Sequence, residues 1–180
     1  MEKITPDNET IKGFIDQARK NLEDDGDITP TFFVSKDDRL AIIGAPFSND
    51  EEKEQAVMAV RKACSQMDAD WVFYISEAWM VKRDTEEEMR SGLMPSQDPE
   101  RIEVVMFNLQ TKGGVNYWAT AEQILHTDGS KTFSEVKMEK MGDSMKGLFM
   151  DLLTAPKTNM EAMAERLGIE PPDLKKFADE

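Results

Sequence analysis

Trp71-Val72-Phe73-Tyr74-Ile75-Ser76-Glu77-Ala78-Trp79-Met80-Val81-Lys82 is the stretch on which the fold turns. Aromatic and β-branched residues suit extended backbone. Side chains of a strand alternate between two faces. Trp71, Phe73, Ile75 and Trp79 therefore share one face, and Val72, Tyr74, Ala78 and Met80 the other. A strand with one wet side alternates apolar with polar. Here both faces are apolar, which predicts a central strand covered on both sides.

More strands follow it. Arg101 to Gln110 and Val115 to Leu125 are β-rich and joined by Thr111-Lys112-Gly113-Gly114, where glycine supplies the positive φ of a tight turn. Thr127-Asp128-Gly129-Ser130 is a second turn, leading to a strand from Thr132 to Met138. Trp71 to Met138 thus reads as a four-stranded antiparallel meander. A polar segment from Arg83 to Glu100, with Thr85-Glu86-Glu87-Glu88 and two prolines, interrupts it. That length without clear structure marks a connection that is either mobile or functional.

Upstream, Thr31 to Ser35 and Arg39 to Ala45 form a hairpin through Lys36-Asp37-Asp38, closed by Pro46. Helical spacing of Ile11, Phe14, Ile15, Ala18 and Leu22 predicts a helix from Pro6 to Asp24, capped by Thr5. A second helix spans Asp50 to Asp68, capped by Asn49 or Ser48, with Ser48 and Glu51 matching a capping box. Its buried face is Ala56, Val57, Val60, Ala63, Cys64 and Met67.

Downstream, Met145, Leu148, Phe149, Leu152 and Leu153 form a helical apolar stripe ended by Pro156. Thr158 with Glu161 and the cap Gly168 mark a further helix. The class is α+β: a mainly antiparallel sheet, hairpin plus meander, packed with helices. Residues 1–155 read as the α+β domain and 156–180 as a helical appendage.

Composition narrows the function. The chain has 180 residues and a net charge of −14. Such a surface repels phosphate backbones and anionic lipid, which argues against nucleic-acid and membrane partners. No apolar run approaches the roughly twenty residues of a membrane span. There is no apolar leader behind Met1, so a cytoplasmic setting is expected. Cys64 is the only cysteine, in the apolar phase of a helix, and reads as a core residue. His126 is the only histidine, in a turn; with no cysteine or histidine near it, no metal site is expected. The turn Asp24-Asp25-Gly26-Asp27 fails the ligand register of a calcium loop. No phosphate loop or other cofactor motif is present, and no cofactor is expected.

Glu77 is the acid that stands out, in phase with the aromatic face of the central strand. Burial beside Trp79 raises a carboxyl pKa and makes a general acid. The competing reading is a carboxylate paired with Lys82 or Arg101, or hydrogen-bonded to the fold. Glu103 or Glu122 would complete a carboxylate pair. Trp79, Tyr74 and Arg101 are the candidate binding residues.

Met160 to Ile169 resembles the first helix and turn of a helix-turn-helix unit, with Ala164 and Gly168 at packing and turn positions. Pro171 and Pro172 open the would-be recognition helix, and Pro156 to Glu180 carries four bases against six acids. That balance disfavours a duplex reader. Ile75-Ser76-Glu77-Ala78-Trp79-Met80 with Pro99-Glu100-Arg101-Ile102-Glu103-Val104-Val105-Met106 resembles uncharacterised small proteins of phages and environmental bacteria. The resemblance covers the central third and implies a microbial or viral cytosolic setting, without an activity.

Three functions remain, beside a fourth, a mimic of nucleic-acid charge, which needs acids spaced like phosphates along one face. The first is a non-enzymatic binding or accessory protein, with a protein partner or a second copy of itself. The second is a small carboxylate enzyme with Glu77 in a pocket. The third is nucleic-acid contact through the C-terminal segment. Thirteen methionines suit an adaptable apolar surface as well as a core.

Overall fold

The computed structural model describes residues 4–81, 97–142 and 149–153. Two helices, α1 (Glu9–Asp25) and α2 (Asp50–Met67), accompany seven strands: β1 (Thr31–Lys36), β2 (Arg39–Gly44), β3 (Trp71–Met80), β4 (Ile102–Thr111), β5 (Asn116–Leu125), β6 (Lys131–Phe133) and β7 (Glu139–Lys140). The sheet runs β2-β1-β3-β4-β5-β6, with β7 also on β5, and every pairing is antiparallel. The hairpin and the meander are therefore one sheet, joined where Phe33 pairs with Phe73.

The 71–80 strand is interior to the sheet, and Val72 to Ser76 are buried on both faces; its far end departs from the expectation, with Trp79 exposed. Phe73 and Ile75 pack with Ile11 and Leu22 of α1 and with Phe107 of β4. Val72 and Tyr74 pack with Val57, Val60 and Cys64 of α2 and with Phe32 of β1. Fully burying each such side chain contributes about 1.5–3 kcal/mol, so two cores, one per face, hold the sheet between its helices. Arg19 fixes α1 further: its guanidinium lies 4.0 Å from the Phe133 ring centroid and donates to the carbonyls of Phe133 and Ser134.

Several boundaries differ from the sequence expectation. The first helix begins at Glu9, not Pro6, because Asn8 rather than Thr5 caps it, accepting from Thr10 N at 2.9 Å. Gly26 ends it at φ +80°, donating to Leu22 O. The capping box of α2 is shifted by one residue: Asn49 accepts from Glu52 N, and the Glu52 carboxylate accepts from Ser48 N and Oγ at 2.7 and 2.9 Å. These bonds hold Glu52 below the usual carboxylate range.

The strand expected from Thr132 to Met138 ends at Phe133. Ser134 Oγ takes the Glu122 N–H at 3.2 Å, and Arg19 occupies the carbonyls beyond. The chain returns to the sheet only as β7, against Tyr117 and Trp118. Residues 149–153 form bends and turns instead of the expected helical stripe. The reason is a polar clamp. Gln110, buried on the α2 face, donates from Nε2 to Phe149 O (2.6 Å) and Asn108 Oδ1 (2.7 Å) and accepts from Leu152 N (2.8 Å). A backbone whose N–H and C=O both go to one side chain has left the helical ladder. The expected Thr158 capping box, the helix-turn-helix-like segment and most of the 83–100 connection lie outside the described residues.

At one end of the sheet three turns are tied together. Asp70 accepts from Asp37 N (3.1 Å) and Lys36 Nζ (3.0 Å). Asp68 accepts from Lys112 Nζ (2.5 Å) and pairs with Lys36 (3.3 Å). Asp37 and Asp68 sit at φ +50° and +52°, the left-handed region that aspartate enters more readily than most residues.

Candidate binding face

The opposite end of the sheet carries the candidate residues. Glu77 and Trp79 project on the α1 face, in register with Val105 and Glu103 of β4. The Glu77 carboxylate is held on both oxygens. Oε2 accepts from Ile28 N at 3.1 Å, and Oε1 accepts from Gln123 Nε2 at 2.7 Å. The acid thus fastens the segment behind α1 to β3 and β5 in one clasp. This is the hydrogen-bonded alternative raised for it. Sequence reasoning missed Gln123 and Ile28, because only the β4–β5 register brings Gln123 beside Glu77.

The two acids proposed as its partner lie on opposite faces of the sheet. Glu122 pairs with Val104, on the other face of the sheet. Glu103 shares the face of Glu77 but lies diagonal to it and pairs with Lys131 at 3.7 Å.

Further along the strand, Trp79 is 42% exposed and Arg101 stacks on it, guanidinium carbon 4.2 Å from the ring centroid. The face of the indole is electron-rich and guanidinium is weakly hydrated, so the pair holds its shape at a wet surface. Trp79 and Arg101 are thus brought together. Tyr74 is not with them: it points to the α2 face, buried against Phe32 and Phe149 at ring distances of 4.3 and 4.6 Å. Burial, partly offset by the Ser76 side chain, pushes its hydroxyl up to about 12.

A cleft of about 120 Å³ opens between α1 and β1, walled by Phe14, Gln17, Asn21, Asp27, Ile28 and Phe33 among others. None of Glu77, Tyr74, Arg101 or Tyr117 is among its walls. Glu77 lies behind one of them, through its bond to Ile28 N.

The remaining chemistry-bearing residues occupy structural positions. Cys64 is buried on α2, where desolvation pushes the thiol up to about 11. His126 is exposed, and its carbonyl accepts from Gly129 N in the β5–β6 turn. Gly114 turns β4 into β5 at φ +81°. Among the described residues, no three of His, Cys, Asp and Glu converge on a metal-sized site. None of the described helices is long and apolar enough to cross a membrane.

The protein is therefore an α+β domain with a helix on each face of an antiparallel sheet and an exposed Trp–Arg pair at one strand end. The family model described as bacteriophage lambda protein ea47 matches residues 2–155, and the chain belongs to that family. No curated protein and no solved structure matches it.

Proposed function

We propose that the chain is a cytoplasmic phage accessory protein that works by binding another protein at the surface around Trp79 and Arg101. The observation that carries this is the exposed indole stacked under a guanidinium. Tryptophan and arginine are the side chains that most often anchor protein interfaces, since each combines large apolar area with fixed polar geometry. Membership of a phage family supports the host-cell setting. Glu77, with both oxygens accepting bonds from the fold, favours binding over acid catalysis in this reading.

The net charge of −14 gives the partner its chemistry: an apolar socket for the indole within a basic rim. The test is capture of host proteins by tagged wild-type chain, followed by affinity measurement on the captured protein. Trp79→Ala and Arg101→Ala should each weaken that binding at least tenfold, and added salt should weaken the wild type. Equal affinity for both variants and the wild type would remove this surface from the function.

A further inference from the structure

We propose that β2 is a self-pairing edge, through which two copies of the chain join their sheets about a two-fold axis at Ile42. Strand β2 is the terminal strand of the sheet, with β1 on one side and no described strand on the other. Its register fixes which backbone groups are unused. Ala45 N donates to Pro30 O at 2.8 Å, so the hydrogen-bonded pairs with β1 fall at Ala45, Ile43, Ala41 and Arg39. In an antiparallel ladder the intervening residues point their N–H and C=O the other way. Leu40, Ile42 and Gly44 therefore present three donors and three acceptors along the outer edge.

Natural sheets guard such edges with lysine, proline or a bulge. This one does the reverse. Almost a third of the chain is charged (32%), yet Leu40-Ala41-Ile42-Ile43-Gly44-Ala45-Pro46-Phe47 carries no charge. Leu40 and Ile42 are 44% and 63% exposed. Both lie on the α1 face, because Ile42 pairs with Phe33.

A second copy fits this edge by its own symmetry. A two-fold axis perpendicular to the sheet makes paired residues share a face. With the axis at Ile42, Ile42 meets Ile42 of the other copy, and Leu40 meets Gly44. Each of the three outward residues then finds an outward partner, so no edge donor or acceptor is left over. Gly44 is the right residue opposite leucine, since nothing lies within 4 Å of the space above it. Pro46, next in phase, has no N–H, and the ladder stops there.

The acids fall in harmless places. Asp38 and Asp37 come opposite Pro46 and Phe47, not opposite each other. The two Asp38 residues stand some 27 Å apart at 3.4 Å per residue, beyond the Debye length of about 8 Å at physiological salt. A basic partner would find no carboxylate between Leu40 and Phe47 to pair with, which is why the occupant is a second uncharged edge.

The test is sedimentation of the full chain with engineered variants. The wild type should sediment at twice 20.4 kDa, and more completely as salt screens two bodies of charge −14. Ile42→Lys sets two ammonium groups face to face on the axis and should yield monomer. Ile42 is exposed and its N–H leaves β1 free, so Ile42→Pro should also fold and also yield monomer. Ile42→Cys tests the register: paired Cα atoms about 5.5 Å apart suit a disulfide. Oxidation should cross-link it, while Met58→Cys, exposed on α2, should stay monomeric under denaturing conditions. A wild type that sediments as monomer at 100 μM, or a dimer unchanged by Ile42→Lys, overturns the proposal. Trp79→Ala should leave the dimer intact, so this surface and the partner surface fail separately.

Discussion

Replacing Gln110 by methionine keeps the length of the side chain and removes all of its hydrogen bonding. Gln110 is 2% exposed and supplies three bonds: to Asn108 Oδ1, to Phe149 O and from Leu152 N. In Gln110→Met the Leu152 N–H is left in a dry site, beside a fully buried leucine side chain. The Phe149 carbonyl, on a half-buried residue, can reach water and loses less. Asn108 Oδ1, also buried, is orphaned beside the Leu152 N–H; at about 1–3 kcal/mol for each group, with part returned by methionine burial, the net loss should be about 3 kcal/mol.

For a chain of this size that is a fall in Tm of about 6–12 °C. Urea unfolding followed by tryptophan fluorescence and near-ultraviolet dichroism measures it. The dichroism also reports Tyr74, whose stacking on Phe149 loosens with the clamp. Gln110→Glu separates hydrogen bonding from volume. Ionised, it cannot donate to Asn108 Oδ1 or Phe149 O. Its pKa is raised by burial, so the variant should recover stability as pH falls and the carboxyl regains a donor. A loss below about 1 kcal/mol in Gln110→Met would refute the clamp. So would a Gln110→Glu penalty independent of pH.

Two further outcomes follow from the titrating groups. Cys64, buried with its thiol pushed up to about 11, should resist a thiol reagent at pH 8 and react at the rate of global unfolding; fast labelling of native protein would show the helix opens locally. At Asp70 desolvation pushes the carboxyl up, but Asp37 N–H and Lys36 outweigh it; Asp68 is lowered chiefly by Lys112 and then Lys36. A depressed folded pKa stabilises above the unfolded value and is lost as pH falls through the folded one. Wild-type stability should therefore drop below about pH 4, and Asp70→Asn should flatten that drop; an unchanged acid limb in the variant would place the sensitivity elsewhere.

The central strand, the hairpin, the meander and the buried stripe of α2 were all legible in the sequence, because alternation and helical spacing report burial directly. Val72 to Ser76 announced two covered faces, while the same alternation placed Trp79 under cover and the structure leaves it exposed. Strand order was not legible: nothing local in Thr31 to Lys36 says that it pairs with Trp71 to Ile75. The clasp around Glu77 was half legible. Its acid stood out by phase, but Gln123 and Ile28 are supplied by register and by a loop. Gln110 was invisible because alternation counts a polar residue as wet, and only the returning chain makes a buried amide useful. The turn at 149–153 was misread for the same reason: its apolar spacing fits a helix, while its backbone bonds go to Gln110.

The seam between β1 and β3 bears on how the chain reaches this state. The β4–β5 pairing closes over a short turn, from Gln110 to Asn116, and the β1–β2 pairing closes from Lys36 to Arg39. Such hairpins form in about 1–10 μs. The β1–β3 partners lie roughly forty positions apart, and that closure must be met before its contacts reward it. The most apolar of the described strands thus spends the late part of folding with one edge bare. That interval is when the chain is most open to mispairing, and chaperone dependence should track changes at Phe32, Phe33 and Val34 more closely than changes in the meander.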